Sequence, residues 1–420
     1  MCAAACCPIP NCRDSDMELL TPASLAEAAD LLRAAAADQA PLEILGASSK
    51  RSLGRPVAAA RQLSTAAMSG IVSYHPEELI LVARAGTRME EIEAALEARN
   101  QHLAFEPPAL GALYMKDAAD LRAGTLGGVL ATNLSGPRRF KAGAARDHFL
   151  GFTAVNGRGE IFKGGGPVVK NVTGYDLPKL MAGSFGTLAL LDEVTVKTLP
   201  RPEKIRTVLL YGLDALAANA AMTRALGGSH DVTGAAFLPE ALAEKSSADY
   251  VGGKGSVTAL RIEGSAPVVQ HHCVALRAEF GGDTEELHNT TSCKLWREIR
   301  DVATFVERDA ILWKLSVPPN AGAKVATGLA IDLSGCSAFL DWGGGLVWLA
   351  LPVEGGAQAE KVRAALRHCG GHATLMRAPE AERARTPVFE IEGSLELMQR
   401  VKTAFDPEGV LNPGRMVEGI

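Results

Sequence analysis

The chain has 420 residues, of which 47% are hydrophobic and 22% charged, and a formal net charge of −5. This is the composition of a globular protein of two or three domains, and its slight acidity argues against non-specific nucleic-acid binding. The strongest apolar run, Gly345–Val353, is strand-sized, far short of the ~20 residues that a membrane helix needs.

Four of the eight cysteines, Cys2, Cys6, Cys7 and Cys12, crowd the first dozen residues. No C-x-x-C pair occurs there, no histidine lies nearby, and Pro8 and Pro10 interrupt the group. A disordered leader over 1–16, or a true start at Met17, fits this better than a metal site. Cys273, Cys293, Cys336 and Cys369 are scattered, which is no disulfide framework and points to a reducing, cytoplasmic setting.

Ser24-x-x-Glu27 reads as a capping box opening a helix to about Asp38, with Leu25, Ala28, Ala29 and Leu32 on its apolar face. Leu42–Leu45 reads as a short buried strand. It runs into Gly46-Ala47-Ser48-Ser49-Lys50-Arg51-Ser52-Leu53-Gly54, either a diphosphate-wrapping loop or an ordinary surface loop, and not a Walker sequence. A strand is expected over Leu79–Ala85, followed by a helix capped by Thr87 and Glu90 and carrying Met89, Ile92 and Leu96. Pro107-Pro108 forces an extended segment.

The stretch Gly124–Gly136 then combines four glycines, two threonines, a serine and an asparagine without any charge. Glycine permits close backbone approach, and arrays of N–H groups form anion-binding concavities. A phosphate-bearing ligand suits such a stretch. The basic residues Arg138, Arg139, Lys141 and Arg146 follow it, as a solvated face or as neutralising charge for a ligand or acidic partner.

Phe152–Val155 and Gly159–Lys163 form a hairpin pattern around Asn156-Gly157. Ala182-x-Ser184-x-Gly186 resembles a nucleophile elbow, but β-type alternation through Val194 and Val196 follows where a helix should, so Ser184 is rejected as a nucleophile. Pro200–Pro202 marks a boundary. Beyond it, helical patterns (Leu213–Ala225, Ala266–Phe280, Gln358–His368) alternate with strand patterns (Ser256–Ile262, Ile311–Val317, Leu346–Val353), which predicts an antiparallel α+β region of ferredoxin-like type. Trp296 and Trp313 are assigned to its core rather than to an interface or a ligand contact. A final helix is expected over Leu395–Phe405.

Three segments in order resemble the flavin-binding family of vanillyl-alcohol oxidase and para-cresol methylhydroxylase (PCMH): Gly46–Gly54; Thr125-Leu126-Gly127-Gly128 with Asn133 and Gly136; and Phe405-Asp406-Pro407 with Leu411-Asn412-Pro413-Gly414-Arg415. Ser135–Arg139, Lys170–Leu177, Leu312–Pro319 and Gly371–Leu375 are similar, more narrowly, to the E-type FAD-binding subunits of bacterial glycolate oxidases.

The resemblance implies an α+β chain with a two-part PCMH-type FAD-binding domain over 17–200 and a ferredoxin-like antiparallel-sheet cap over 201–384. A segment over 385–420 would return to the FAD domain. It also implies FAD contacts at Gly46, Ala47, Ser48, Ser49, Lys50, Pro108, Thr125, Gly127, Gly128, Asn133, Gly136, Gly186, Thr187 and Leu188. Gly46–Gly54 has no histidine or cysteine for a covalent link, so FAD is expected to be non-covalent.

Catalytic relatives carry a histidine-rich metal motif where this chain has Phe339–Trp348, so no metal is expected and no catalytic residue is assigned. His368 and His372 are four apart, but Gly370-Gly371 separates them, which favours structural or surface roles.

The implied function is an FAD-binding subunit of a glycolate (D-2-hydroxy acid) oxidase complex, working with a catalytic FAD-binding subunit and an iron–sulfur subunit. Such a subunit would be cytoplasmic, or peripheral at the inner membrane through its partners. The alternatives are a stand-alone D-2-hydroxy acid dehydrogenase, with Arg297 or Arg377 clamping a carboxylate, and a non-catalytic structural subunit.

Overall fold

The structure is a computed structural model that describes residues 17–114, 123–166, 174–391 and 393–420. The cysteine-rich leader and Lys170–Thr173 of the subunit-like motif lie outside the described residues.

Ser24 Oγ accepts from Glu27 N (3.2 Å), and Glu27 Oε2 reaches back to Ala23 N (2.9 Å). One of the donors left free at the helix start is thereby satisfied, together with the N–H of the residue before the cap, and the helix Leu25–Ala37 follows. Its buried residues Ala28, Ala29, Leu32 and Ala35 pack on Leu42 and Leu63 of a three-stranded parallel sheet, Glu18–Leu20, Arg61–Ser64 and Leu42–Leu45. Beside it stands a five-stranded antiparallel sheet, in the order Ile71–His75, Ile80–Arg84, Ala189–Lys197, Phe149–Asn156, Ile161–Gly165. Val155 and Leu190 of that sheet share the same core. The expected hairpin is present, with Val155 opposite Ile161. Ser184 feeds the strand Ala189–Lys197, in keeping with its rejection as an elbow nucleophile.

The helix Met89–Glu97 forms, but Thr87 does not cap it. Thr87 Oγ1 instead accepts from Gly70 N (2.9 Å) and donates to Gly70 O (3.1 Å), so a neighbouring turn claims the hydroxyl.

After Lys204 one eight-stranded sheet takes over, ordered Thr284–His288, Lys204–Tyr211, Val257–Gly264, Val232–Leu238, Ser337–Asp341, Leu346–Pro352, Ala310–Ser316, His372–Arg377. It contains two β-α-β-β-α-β units in tandem. The first carries helices Ala215–Gly227 and Ala266–Phe280, and the second Gly322–Asp332 and Ala359–Leu366. The units join where Phe237 pairs with Leu340. The ferredoxin-like expectation therefore holds twice over.

All four helices cover one face of this sheet. The other face packs Leu209, Ala259, Leu312 and Trp348 against Leu53, Leu110, Leu113 and Leu134 of the N-terminal part. Trp313 (0% exposed) and Trp296 (2%) are core residues, each with its indole N–H bonded, to Ala357 O and Thr207 Oγ1. The C-terminal tail then pairs with the first sheet: Leu42 N donates to Val410 O (2.8 Å) and Asn412 N to Leu42 O (3.1 Å).

Candidate functional site: a cradle at the end of a parallel strand

The strand Leu42–Leu45 ends at Gly46, and the chain turns at once, with Ser48 at φ 58°. Among the described residues, the backbone N–H groups of Ala47, Ser48, Ser49 and Lys50 find no acceptor. Four successive unspent amides in a turn with a left-handed residue make a concavity that favours an anion. Lys50 closes this row, its Nζ 3.4 Å from both Ser49 Oγ and Ala123 O. Burial pushes its ammonium down to about 8, against a smaller opposing effect of Glu90. These residues line a cleft of about 110 Å³.

The opposite wall is the glycine-rich stretch, which is largely a helix, Leu126–Thr132, capped by Thr125 Oγ1 on Gly128 N (3.3 Å). Its amides are already used, Leu126 N on Thr87 O (2.9 Å) and Gly127 N on Ala85 O (2.8 Å). This corrects the reading of that stretch as an N–H donor array: the donors sit on residues 47–50, and the glycines supply closeness. A side chain on Gly127 would meet Ala85 Cβ at 2.7 Å, whereas one on Gly128 meets only Thr125 Oγ1, at 3.3 Å.

The tail closes the third side. Asn412 Oδ1 accepts from Ile44 N (2.7 Å), and its Nδ2 donates to Phe185 O (2.7 Å), so one side chain joins the strand, the Gly186 turn and the tail. Arg415 Nη2 donates to Lys50 O (3.2 Å) and Arg51 O (2.7 Å), bracing the loop from behind.

Nine of the expected contact residues line this cleft: Gly46, Ala47, Ser48, Ser49, Lys50, Thr125, Gly127, Gly128 and Gly186. The other five do not. Pro108 is buried, and Asn133 (φ 49°) ends the helix while accepting from Arg146 N. Gly136 O accepts from Trp342 Nε1 (3.0 Å). Thr187 holds Ser184 O, and Leu188 is core. Asn412 and Arg415 line the cleft although neither stood among the expected contacts.

Where the cap meets the N-terminal part, Glu106 and Arg138 interlock with Arg261 and Glu263. Arg261 reaches Glu106 at 2.9 and 3.1 Å, and Arg138 Nε reaches Glu263 at 2.8 Å. Burial pushes the Glu263 carboxyl up, but Arg261 and Arg138 outweigh it and hold it down to about 2.

On the same cap face Trp342 is flanked by Arg139, 4.5 Å from the ring centroid, and Lys314, 5.1 Å from it. Lys314 is half-buried and has no hydrogen-bond acceptor among the described residues. Burial and Arg139 push it down to about 8. Burial pushes the neighbouring Asp341 carboxyl up to about 7, against the hydrogen bond from Trp342 N. A lysine alternating with Leu312 on an otherwise apolar strand was the available signal for this group.

Arg377 is spent on the carbonyls of Ala310, Phe305 and Arg308, so it is no free clamp. Arg297 is exposed and lines a different cleft. His368 and His372 are both exposed.

The chemistry of the cradle fits the diphosphate of a flavin dinucleotide: unspent amides, an ammonium on the same loop, and a glycine-rich wall. The comparisons agree. The family described as FAD binding domain matches residues 18–165, and that of the FAD linked oxidases, C-terminal domain, matches 378–416. The glycolate oxidase subunit GlcE of Escherichia coli is 34% identical over 385 residues, 91% of this chain and 94% of that one. The glycolate oxidase subunit GlcD of Bacillus subtilis is 34% identical over 152 residues, 36% of this chain and 30% of that one. Among solved structures, p-cresol methylhydroxylase with substrate bound is similar at a TM-score of 0.68 and 14% identity, over 95% of this chain and 88% of that one, a likeness of fold. The chain belongs to the FAD-linked oxidases and, within them, to the family of the glycolate oxidase subunit GlcE.

Proposed function

We propose that this chain is the FAD-binding subunit of a glycolate, or D-2-hydroxy acid, oxidase complex. In this role it takes part in the oxidation of glycolate to glyoxylate and passes electrons to partner subunits. The observation that carries the reading is the row of unspent amides from Ala47 to Lys50 in a cleft that Lys50 itself lines. The flavin contacts proposed on this reading are Gly46–Lys50, Thr125, Gly127, Gly128 and Gly186 in the cleft, and Pro108, Asn133, Gly136, Thr187 and Leu188 outside it, with Asn412 and Arg415 holding the loops. FAD, when bound, supplies the two-electron acceptor for a hydroxy acid's C–H hydride. The chain's own residues bind its diphosphate, hold the loops and keep the cap seated. The flavin unit is taken as 17–200 with 385–420 and the cap as 201–384, supported by the change of sheet between Lys197 and Lys204. A catalytic FAD-binding subunit and an iron–sulfur subunit are the proposed partners, in the cytoplasm or at the inner membrane through them.

One observation favours a second reading, in which the chain turns over by itself. Lys314 can hold a carboxylate. On this reading Asp341, buried and with its carboxyl pushed up to about 7, would have to take up the proton of a substrate hydroxyl. Anaerobic addition of glycolate separates the readings. The first expects the flavin of the isolated chain to stay oxidised, and to bleach once a catalytic partner is present. The second expects bleaching of the chain alone, abolished in Asp341→Asn.

A further inference from the structure

A second and larger cleft, of about 680 Å³, opens on the far side of Glu106. Its walls are the helix Met89–Glu97, the strand Gln101–His102, the connection Arg201–Ile205 and the helix Asn289–Arg300. None of its residues was expected at the flavin, and the volume lies in the range of small-molecule sites.

Most of the charge in its walls is already paired. Arg138 and Arg261 are held by Glu106 and Glu263. Arg201 reaches Glu97 (2.7 Å), and Arg300 is bidentate on Asp301 (2.8 and 2.9 Å). These pairs fix the walls; Glu203 Oε2 accepts from Ala266 N (3.4 Å), and Arg297, His102 and Glu93 are left over. Arg297, exposed at the rim, has no acidic partner among the described residues, and the ring of half-buried His102 has no hydrogen-bond partner among them. Burial, reinforced by Arg138, pushes His102 down to about 4, so its ring is neutral and offers one N–H and one lone pair. Glu93 lies on the facing helix, its carboxyl pushed up by burial against the pull of Arg300. A guanidinium without a carboxylate, opposite groups able to hydrogen-bond a hydroxyl or a second oxygen, is an incomplete set that a small oxyanion completes.

We propose that this cleft is a second ligand site, for a metabolite-sized oxyanion (a carboxylate or phosphate) held by Arg297 at the mouth and hydrogen-bonded by His102 within. The site lies apart from the Lys50 cradle and does not depend on what the flavin oxidises.

Cys293, half-buried in the same wall, reports occupancy. Its rate of alkylation by iodoacetamide is followed by peptide mass spectrometry in the full-length, FAD-loaded chain. Malonate, inorganic phosphate, or sodium chloride at matched ionic strength is present in separate arms. Cys336 and Cys369, which line neither cleft, serve as internal references. Saturating malonate or phosphate is expected to slow Cys293 at least three-fold without slowing the reference cysteines. Protection by malonate alone identifies a carboxylate site, and protection by phosphate alone a phosphoryl site. Arg297→Ala, an exposed change with no partner to strand, should abolish the protection at unchanged flavin content, and Arg297→Lys should retain part of it. An unchanged Cys293 rate, equal slowing by sodium chloride, or full protection in Arg297→Ala would overturn the proposal.

Discussion

Lys402 Nζ lies 2.7 Å from Asp406 Oδ2, with the two side chains 8% and 0% exposed. The same ammonium donates to Thr187 O and Leu411 O, each at 2.8 Å. Asp406 accepts from Val410 N (3.0 Å) and Leu411 N (2.8 Å). One buried pair thus fastens the tail that carries Asn412 to the turn that carries Gly186. Lys402→Met strands a buried carboxylate and is expected to cost about 3–5 kcal/mol, as breaking one half of a buried pair does. Lys402→Met with Asp406→Asn should cost less than the single change. Urea unfolding of the two variants checks this; a single variant within about 1 kcal/mol of the parent would contradict the fastening role.

Lys50 gives FAD affinity a pH dependence. Its ammonium titrates near 8 in the ligand-free chain, below the ordinary lysine value, because burial disfavours the charge. A diphosphate anion favours the charged form, so the bound state takes up a proton above pH 8. Affinity should therefore weaken from pH 7 to 9.5, approaching about tenfold per pH unit at the upper end. Lys50→Met should bind FAD weakly and without that slope. Flavin fluorescence titrations test this, and a parent whose affinity is flat from pH 7 to 9.5 removes Lys50 from the cradle.

Gly127 and Gly128 are adjacent yet should fail differently. A side chain at 127 drives into Ala85 Cβ and the Ala85 carbonyl, at 2.7 and 2.8 Å, so Gly127→Leu should lower the melting temperature of the ligand-free chain. At 128 only Thr125 Oγ1 is near, and leucine is the better helix former. Gly128→Leu should keep the fold and lose FAD by filling the cleft. Circular dichroism and flavin absorbance together decide; full flavin retention in Gly128→Leu would defeat the placement of the cofactor.

The cap junction should open in acid. Glu263 is held near 2 in the folded chain, well below an ordinary glutamate. A carboxylate depressed by folding stabilises fully above the unfolded value and loses that contribution as pH falls toward the folded value. Stability should drop between about pH 5 and 2. Glu263→Gln should be less stable at pH 7, because Arg138 and Arg261 lose a partner, and should show a shallower acid slope. Urea midpoints at pH 7, 5 and 3 measure it, and parallel slopes for the two proteins would contradict the assignment.

Local pattern made the elements legible where apolar period and punctuation agree. Ala266–Phe280 and Leu395–Phe405 form with the bounds that the sequence suggests. The cap's antiparallel sheet was legible as a type, but its doubling was not, because the Phe237–Leu340 pairing joins strands a hundred residues apart. At the cradle, small residues marked the right loop, but their composition could not tell spent amides from free ones. Gly127 N was claimed by Ala85 O, a contact that only the folded chain creates. Glu106 and Arg261, 155 positions apart, and Asn412 with Ile44, 368 apart, belong to the same class of long-range partner.

The most direct test of the FAD cradle is the flavin content of the purified full-length chain. The account predicts close to one FAD per chain by visible absorbance after incubation with FAD, all of it released into the supernatant on acid precipitation. A chain that takes up no flavin, or one whose flavin stays with the precipitated protein, would contradict it.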